Sequence, residues 1–297
     1  MRITFGLFII FSTVFGGFLM AKGNIATFWQ PAEYLMIMGA GLGSLFVGNS
    51  TVILKEMLHQ IKGVFAGSKH EAILAKELLS AMYVMLGKIK KDGLKTLDEH
   101  VDNAWDSPFF KNYPHLLQEP ILVNFITDNL RLLGMGKSQS HEVEGLLEKE
   151  IMAIEDDLLK PSKALHKTGE AMPGFGILAA VAGIVITMGY LDGPLAAIGL
   201  HVAAALIGTF IGIFLCYCIM EPLASAMHDQ VHRQISQLEG VKAIIIAYME
   251  AKPPIVAVDA GRRVMELDIK PSFATLESWM KNNKESPSSD EDTAEGS

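Results

Sequence analysis

Residues 171–222 read AMPGFGILAAVAGIVITMGYLDGPLAAIGLHVAAALIGTFIGIFLCYCIMEP, two apolar runs (171–191 and 193–220) interrupted only by Asp192. A run of about 20 uncharged residues is the length a helix needs to cross the hydrocarbon of a bilayer. At about 100° per residue, Pro173, Gly176, Ala180, Gly183 and Thr187 fall within an arc of about 80°. In the second run His201, Ala205, Gly208, Thr209, Gly212 and Cys216 form a comparable stripe. Each helix therefore has a greasy face of Ile, Val, Leu and Phe that suits lipid, and a smooth, faintly polar face that suits a neighbouring helix or a water path.

Charge sets the class. Charged residues make up 20% of the 297, yet they are absent from the windows 3–21, 34–54, 171–191 and 193–220. The fold expected is all-α: a polytopic membrane protein with four transmembrane helices and a large helical cytoplasmic domain. The chain divides into spans 1 and 2 (1–54), a cytoplasmic helical domain (55–168), spans 3 and 4 (169–222), a cytoplasmic C-terminal helical segment (223–281) and a disordered acidic tail (282–297). Arg2 opens the first run like a signal peptide, but no small-residue cleavage site precedes Lys22 and a second apolar run follows, so the run reads as a retained helix. Of the 25 basic residues, 15 lie between spans 2 and 3 and eight after span 4. Basic residues mark the cytoplasmic side, which puts both termini and the large loop inside.

The loop reads as amphipathic helices. His70–Lys91 carries Ile73, Leu74, Leu78, Leu79, Met82, Met85 and Leu86 at helical spacing and is ended by Gly93. Thr96 and Glu99 have the form of a capping box. Segments 120–133 and 142–159 repeat the pattern, the latter with Ser138 or Ser140 as N-cap. A helix after Pro222 runs to about Ala251 and is ended by Pro253 and Pro254. Gly39, Gly41, Gly43 and Ser44 in span 2 permit close helix packing. Lys88, Lys90, Lys91, Asp92, Lys95, Asp98 and Glu99 form a charged surface, which reads as a solvated face or as a docking site.

Several chemistries are missing. No phosphate loop, nucleophile elbow or metal-binding spacing occurs, so neither an enzyme nor a cofactor is expected. Cys216 and Cys218 point apart on one helix and read as packing residues. A net charge of −8 argues against a nucleic-acid partner. The four apolar windows contain no Asp, Glu, Lys or Arg; Asp192 and Glu221 sit at their edges. A proton or sodium route needs an ionisable group at membrane depth. If this chain moves ions, a partner must supply the carboxylate. Pro173 reads as a first-turn helix proline and Pro222 as a kink where the span leaves the membrane. Both lie near the cytoplasmic ends of their spans, at one membrane level.

The segments TVFGGFLM, WQPAEYLMIMGAGLGSLFVGN, MPGFGILAAVAGI, IGTFIGIFLCY with EPLA, and PPIVAVDAGRR with KPSF resemble the MotA family of flagellar stator subunits, within the MotA/TolQ/ExbB proton channel superfamily. The resemblance runs from about residue 1 to residue 275. It implies a ring of five such chains in the bacterial inner membrane around a MotB-type single-span partner that carries the proton-accepting Asp. It implies a coupling role for Pro173 and Pro222, with Tyr217 beside them. It implies rotor contacts at Lys90 and Asp98, which face charges on the rotor protein FliG, and an acidic position at Glu150. Lys90 keeps the sign of the family's usual Arg but offers no bidentate fork. Sodium-driven relatives carry Thr at the positions of Ala180 and Thr209. Hard cations want several oxygen ligands, so Ala180 points to protons, with Thr209 lining the path. An energiser of the ExbB/TolQ type shares the central two helices but has three spans. Four spans and the Lys90/Asp98 surface favour the stator over that reading; a sodium-driven stator is the alternative that Ala180 argues against, and a scaffold without ion flux is the alternative in which Pro173→Ala leaves motility untouched.

Overall fold

The computed structural model describes residues 2–66, 69–93, 103–135, 139–190, 192 and 194–284. Among the described residues the regular structure is helical throughout, without strands. The helices are α1 (Arg2–Met20), α2 (Pro31–Gly48), α3 (Thr51–Ala66), α4 (Lys69–Asp92), α5 (Pro108–Lys111), α6 (Pro114–Leu117), α7 (Pro120–Met135), α8 (Ser140–Met188), α9 (Leu195–Phe214), α10 (Glu221–Met249), α11 (Pro254–Val264) and α12 (Phe273–Lys284), with a π-helical turn (Leu215–Met220) joining α9 to α10. The chain divides into one compact unit of residues 1–67 and 156–231 and another of 68–155 and 232–297.

Among the described residues three segments are long and apolar enough to cross a membrane: α1, α8, and the continuous run from α9 through α10. The window 34–54, expected as one uninterrupted span, instead breaks after Gly48. Asn49 is extended (φ −137°, ψ 147°) and its side-chain amide donates to the Leu45 carbonyl at 2.9 Å, while the Ser50 hydroxyl accepts from the Ile53 N–H at 3.4 Å. Asn49 thus satisfies an orphan carbonyl at one helix end and Ser50 an orphan N–H at the next start. Helix α2 is left with 18 residues and Glu33 in its first turn.

Helix α1 joins the first unit through aromatics. Phe11 and Phe15 meet Phe214 at 5.3 and 5.7 Å between ring centroids, and Phe28, in the short 3₁₀ turn Ile25–Phe28, meets Phe210 at 5.1 Å. Edge-on and tilted pairs of this kind add to plain burial. Outward-facing Phe5, Phe8, Leu42, Phe46, Ile177, Ile184 and Leu206 remain exposed on their helices. Toward the other end of the unit, Leu54 and Met57 of α3 pack with Ala164 and Leu165 of α8 and Ala224 and Met227 of α10. Gln60 donates to the Leu158 carbonyl at 2.9 Å beside Pro161, where the helix loses a donor.

In the second unit α4 matches the expected helix to within a residue, and its stop is as read. Gly93 takes φ 83° and its N–H donates to the Ile89 carbonyl at 2.9 Å, a left-handed C-terminal cap that glycine adopts without strain. Leu74, Ala75, Leu78, Leu79, Met82, Met85 and Leu86 are buried, but Ile73, counted on that face, is exposed. Helices α10 and α11 cross closely: a Cβ on Gly261 would lie 2.6 Å from the Gly240 carbonyl oxygen. Asp259 accepts 2.7 Å bonds from Arg262 and Arg263. Burial alone would raise its pKa, but the two guanidinium bonds outweigh that and hold the carboxyl below the usual carboxylate range. Glu71 shows the opposite balance: burial raises its pKa and Arg233, 3.5 Å away, offsets only part of the rise.

The boundary expected near residue 168 falls inside a single helix. Helix α8 runs unbroken for 49 residues through Pro161 and Pro173. Ser140 does not cap it from outside, being its first residue, and the Gln139 carbonyl accepts the first N–H bonds from Glu142 and Val143; the alternative cap, Ser138, lies outside the described residues. The Thr96–Glu99 capping box and residues 285–297 of the acidic tail lie outside the described residues.

Candidate functional site

The two smooth stripes face each other. A Cβ on Gly176 would lie 2.9 Å from the Gly208 carbonyl oxygen, one on Gly212 2.6 Å from the Met172 carbonyl oxygen, and one on Gly183 3.2 Å from the Ala205 Cβ. Between α8 and α9 the backbones therefore touch, and glycine is needed because nothing larger fits. Most of each stripe is closed within the chain; it is a seam rather than an open path. Ala180 and Thr209 are half-buried at this seam, the Ala180 amide nitrogen lying 3.5 Å from the Cβ position of Gly208 and Thr209 Cα 3.3 Å from that of Gly176. Thr187 is buried and spends its hydroxyl on the Gly183 carbonyl at 2.8 Å. His201 stacks on Tyr190 at 4.7 Å near the short turn between the two helices. Cys216 is buried in the cluster with Ile37, Met172, Ala179 and Ile211, as a packing residue should be, and Cys218 is half-buried.

The two prolines have different settings from those expected. Pro173 lies in the interior of α8, not its first turn, so the Gly169 carbonyl forgoes its usual donor. Pro222 follows the π turn, in which the Glu221 N–H reaches back five residues to the Cys216 carbonyl. A proline ring in continuous α-helix strikes the carbonyl four residues before it, and the wider turn gives that ring room. Tyr217 is on this turn and exposed. The prolines do not share a level. Residue 172 meets 212, whereas residue 166 meets 221, so along α8 the Pro222 level is about 10 Å from Pro173 at 1.5 Å per residue.

One buried carboxylate was not anticipated. Glu33, one residue before the apolar window begins, is only 6% exposed, and its Oε2 has no hydrogen-bond partner among the described residues. Its Oε1 lies 3.6 Å from the Cβ position of Gly183. A charge-free window from residue 34 concealed it, because helix α2 starts at Pro31 and carries Glu33 inside with it.

At the other end, the His166 ring binds Glu221 across the helices at 2.7 Å. In the second unit Lys90 is exposed in the last turn of α4. Its neighbour Lys88 lies over the Phe109 ring at 5.5 Å. Glu150 is half-buried and accepts from the Asn129 amide at 3.3 Å, which gives it a partner inside its own unit. Asp98 lies outside the described residues. No group of three or more metal-ligating side chains occurs among the described residues.

This arrangement defines a helical membrane protein built around a glycine-packed pair of central helices. The chain belongs to the MotA/TolQ/ExbB proton channel family: that family's profile matches residues 117–240, and the profile of the motility protein A N-terminal region matches residues 4–93. It is similar to chemotaxis protein LafT of Vibrio parahaemolyticus (48% identical over 275 residues, 93% of this chain and 96% of that one). Motility protein A of Escherichia coli is 34% identical over 281 residues, 95% of each chain. The fold matches a chain of the C. jejuni MotAB structure with a TM-score of 0.73 at 18% identity, over 90% of this chain and 96% of that one. It also matches the flagellar MotAB stator complex from Bacillus subtilis with a TM-score of 0.69 at 18% identity, over 93% of this chain and 98% of that one.

Proposed function

We propose that this chain is a stator subunit of the bacterial flagellar motor, which assembles with a MotB-type single-span partner, conducts protons and converts their passage into torque on the rotor. The observation that carries the reading is the combination of near-full-length similarity to LafT and motility protein A with the glycine seam of α8 and α9. The carboxylate beside the seam, Glu33, lies at its Gly183 end, so a proton passing the Gly176 and Gly212 end needs a partner's Asp. Helix α2, at 18 residues, serves as the fourth span, and both termini face the cytoplasm of the inner membrane. Five copies surround the partner, as in the resemblance drawn from the sequence. Pro173 and Pro222 sit at two levels beside the seam and act as the flexible joints through which protonation moves the cytoplasmic helices. Lys90, with Asp98, faces FliG. Glu150, held by Asn129, contributes to the fold of that region rather than as a free charge. The chain needs no cofactor and performs no chemistry on a substrate beyond ion transfer.

Proton coupling follows from Ala180, which presents no hydroxyl where a sodium ion would want ligands. One proton crossing about 100 mV releases about 2.3 kcal/mol, enough to shift a packed element between two arrangements. The test is complementation of a strain lacking its stator genes with this chain and its cognate MotB-type partner. Motility should return, collapse with a protonophore and be indifferent to external sodium. Speed that tracks sodium would overturn the ion assignment, and a failure of wild type to restore motility would overturn the stator role.

A further inference from the structure

We propose that His166, with Glu221 and Glu170, forms the relay that hands translocated protons to the cytoplasm, an inference that rests on the proton-driven reading above. The imidazole stands between two carboxylates, one from α10 and one from α8: Nδ1 is 2.7 Å from Glu221 Oε2, and Nε2 is 3.5 Å from Glu170 Oε1. Glu221 is the first residue after the π turn and precedes Pro222, so one end of the triad touches the element already assigned to coupling. All three side chains are partly open to solvent, 40% at Glu221, 47% at His166 and 64% at Glu170, so the triad lies where protons can leave to bulk water. The apolar cluster packed against this end of α8 comes from Leu54 and Met57 of α3 and Ala224 and Met227 of α10. Among the described residues the charged groups paired with His166 are therefore Glu170 from its own helix and Glu221 from the facing one, while Lys163 on α8 turns to Asp156.

Two acceptors flank one ring, and a neutral imidazole can donate to only one of them. A proton reaching Glu221 protonates that carboxylate and passes to Nδ1 of a ring that already carries Nε2–H. The imidazolium then donates to both carboxylates. Loss of the Nε2 proton, through Glu170 to water, leaves the Nδ1–H tautomer, and tautomer exchange resets the ring. One proton enters, one leaves, and no other species is consumed. Histidine suits the step because its two ring nitrogens let it accept a proton on one side and release one from the other.

The experiment measures motor rotation in complemented cells at low and high load. At low load speed is set by the rate of ion transit, whereas near stall torque is set by the driving force per ion. His166→Gln should slow low-load rotation by at least about threefold while leaving high-load torque near the wild-type value. His166→Ala should behave alike and recover speed on addition of imidazole, a membrane-permeant proton carrier; Glu221→Gln should slow rotation without imidazole rescue. Membrane levels of each variant, read by immunoblot, separate loss of protein from loss of relay. Low-load speed equal to wild type in His166→Gln overturns the relay. So does an equal loss at both loads with no imidazole recovery, which marks a packing role. If wild type itself fails to drive rotation, or drives it without protons, the stator reading fails and the relay with it, a result distinct from a motile wild type beside an unaffected variant.

Discussion

Gly212 leaves no room for a side chain, because its Cβ position lies 2.6 Å from the Met172 carbonyl oxygen. That atom is backbone in the middle of α8 and cannot swing aside. Gly212→Val should therefore separate the seam and abolish swimming, at a packing cost of about 1–3 kcal/mol; Gly199→Ala, where the space is open, should swim normally in the same soft-agar assay. Asp259 is the comparable fixed point of the second unit. Asp259→Asn should lower the thermal unfolding midpoint of detergent-solubilised protein, a loss of about 2 kcal/mol, because it weakens two charge-assisted bonds at once. Its folded pKa lies below the unfolded value of about 3.9, so its contribution is complete above that pH and fades as pH falls through the lower folded value. Between pH 5 and pH 8 the wild-type midpoint should not respond to this group. Glu33 was hidden from the sequence reading by a boundary of one residue, and Glu150 acquires a partner, Asn129, that is distant in sequence.

At the scale of elements, α8 was the hardest to read. Amphipathic periodicity marked residues 142–159 and hydropathy marked 171–191, and two prolines stood between or within them. Local rules end a helix at proline, yet the packing of Ala164 and Leu165 against α3 and α10 keeps this one continuous. The loop helices were legible because their stops are chemical: Gly93 for α4, and Pro253 with Pro254 after α10. Since Pro173 is interior to α8, Pro173→Ala adds a backbone hydrogen bond and stiffens the helix. It should reduce swimming at least about tenfold in the complementation assay without lowering membrane levels, whereas a passive scaffold would be unaffected. On the last turn of α4, Lys90→Glu should impair motility and be partly restored by reversing the charge of its rotor partner; failure of every charge-reversal pair would remove Lys90 from the docking surface.

For the whole molecule, class and connectivity were open to inspection in the sequence, while the meeting of faces was not. Charge-free windows revealed the membrane helices because an uncompensated charge in hydrocarbon is costly whatever the tertiary contacts. The stripes of small residues were equally visible. That they close on each other, with Gly176 against Gly208 and Gly183 against Ala205, depends on which helix becomes the neighbour, and periodicity carries no such information. The aromatic contacts of α1 with α9 were missed for the same reason, since Phe11 and Phe214 are some 200 positions apart. The family assignment accounts for the remainder: the profiles place residues 4–93 and 117–240 in one lineage of membrane proteins, with the seam inside the second.

The π turn of residues 215–220 also acts as a phase shifter. An extra residue within one turn offsets all that follows by about 100° around the helix axis relative to a straight continuation. Angular position in α9 therefore cannot be extrapolated into α10, where Glu221 meets His166 with that offset in place. Conversion of the turn to plain α-helix would swing Glu221 and Pro222 to a new azimuth while Gly208 and Gly212 stayed docked. A single-residue unit of rotation is thereby stored beside the central seam.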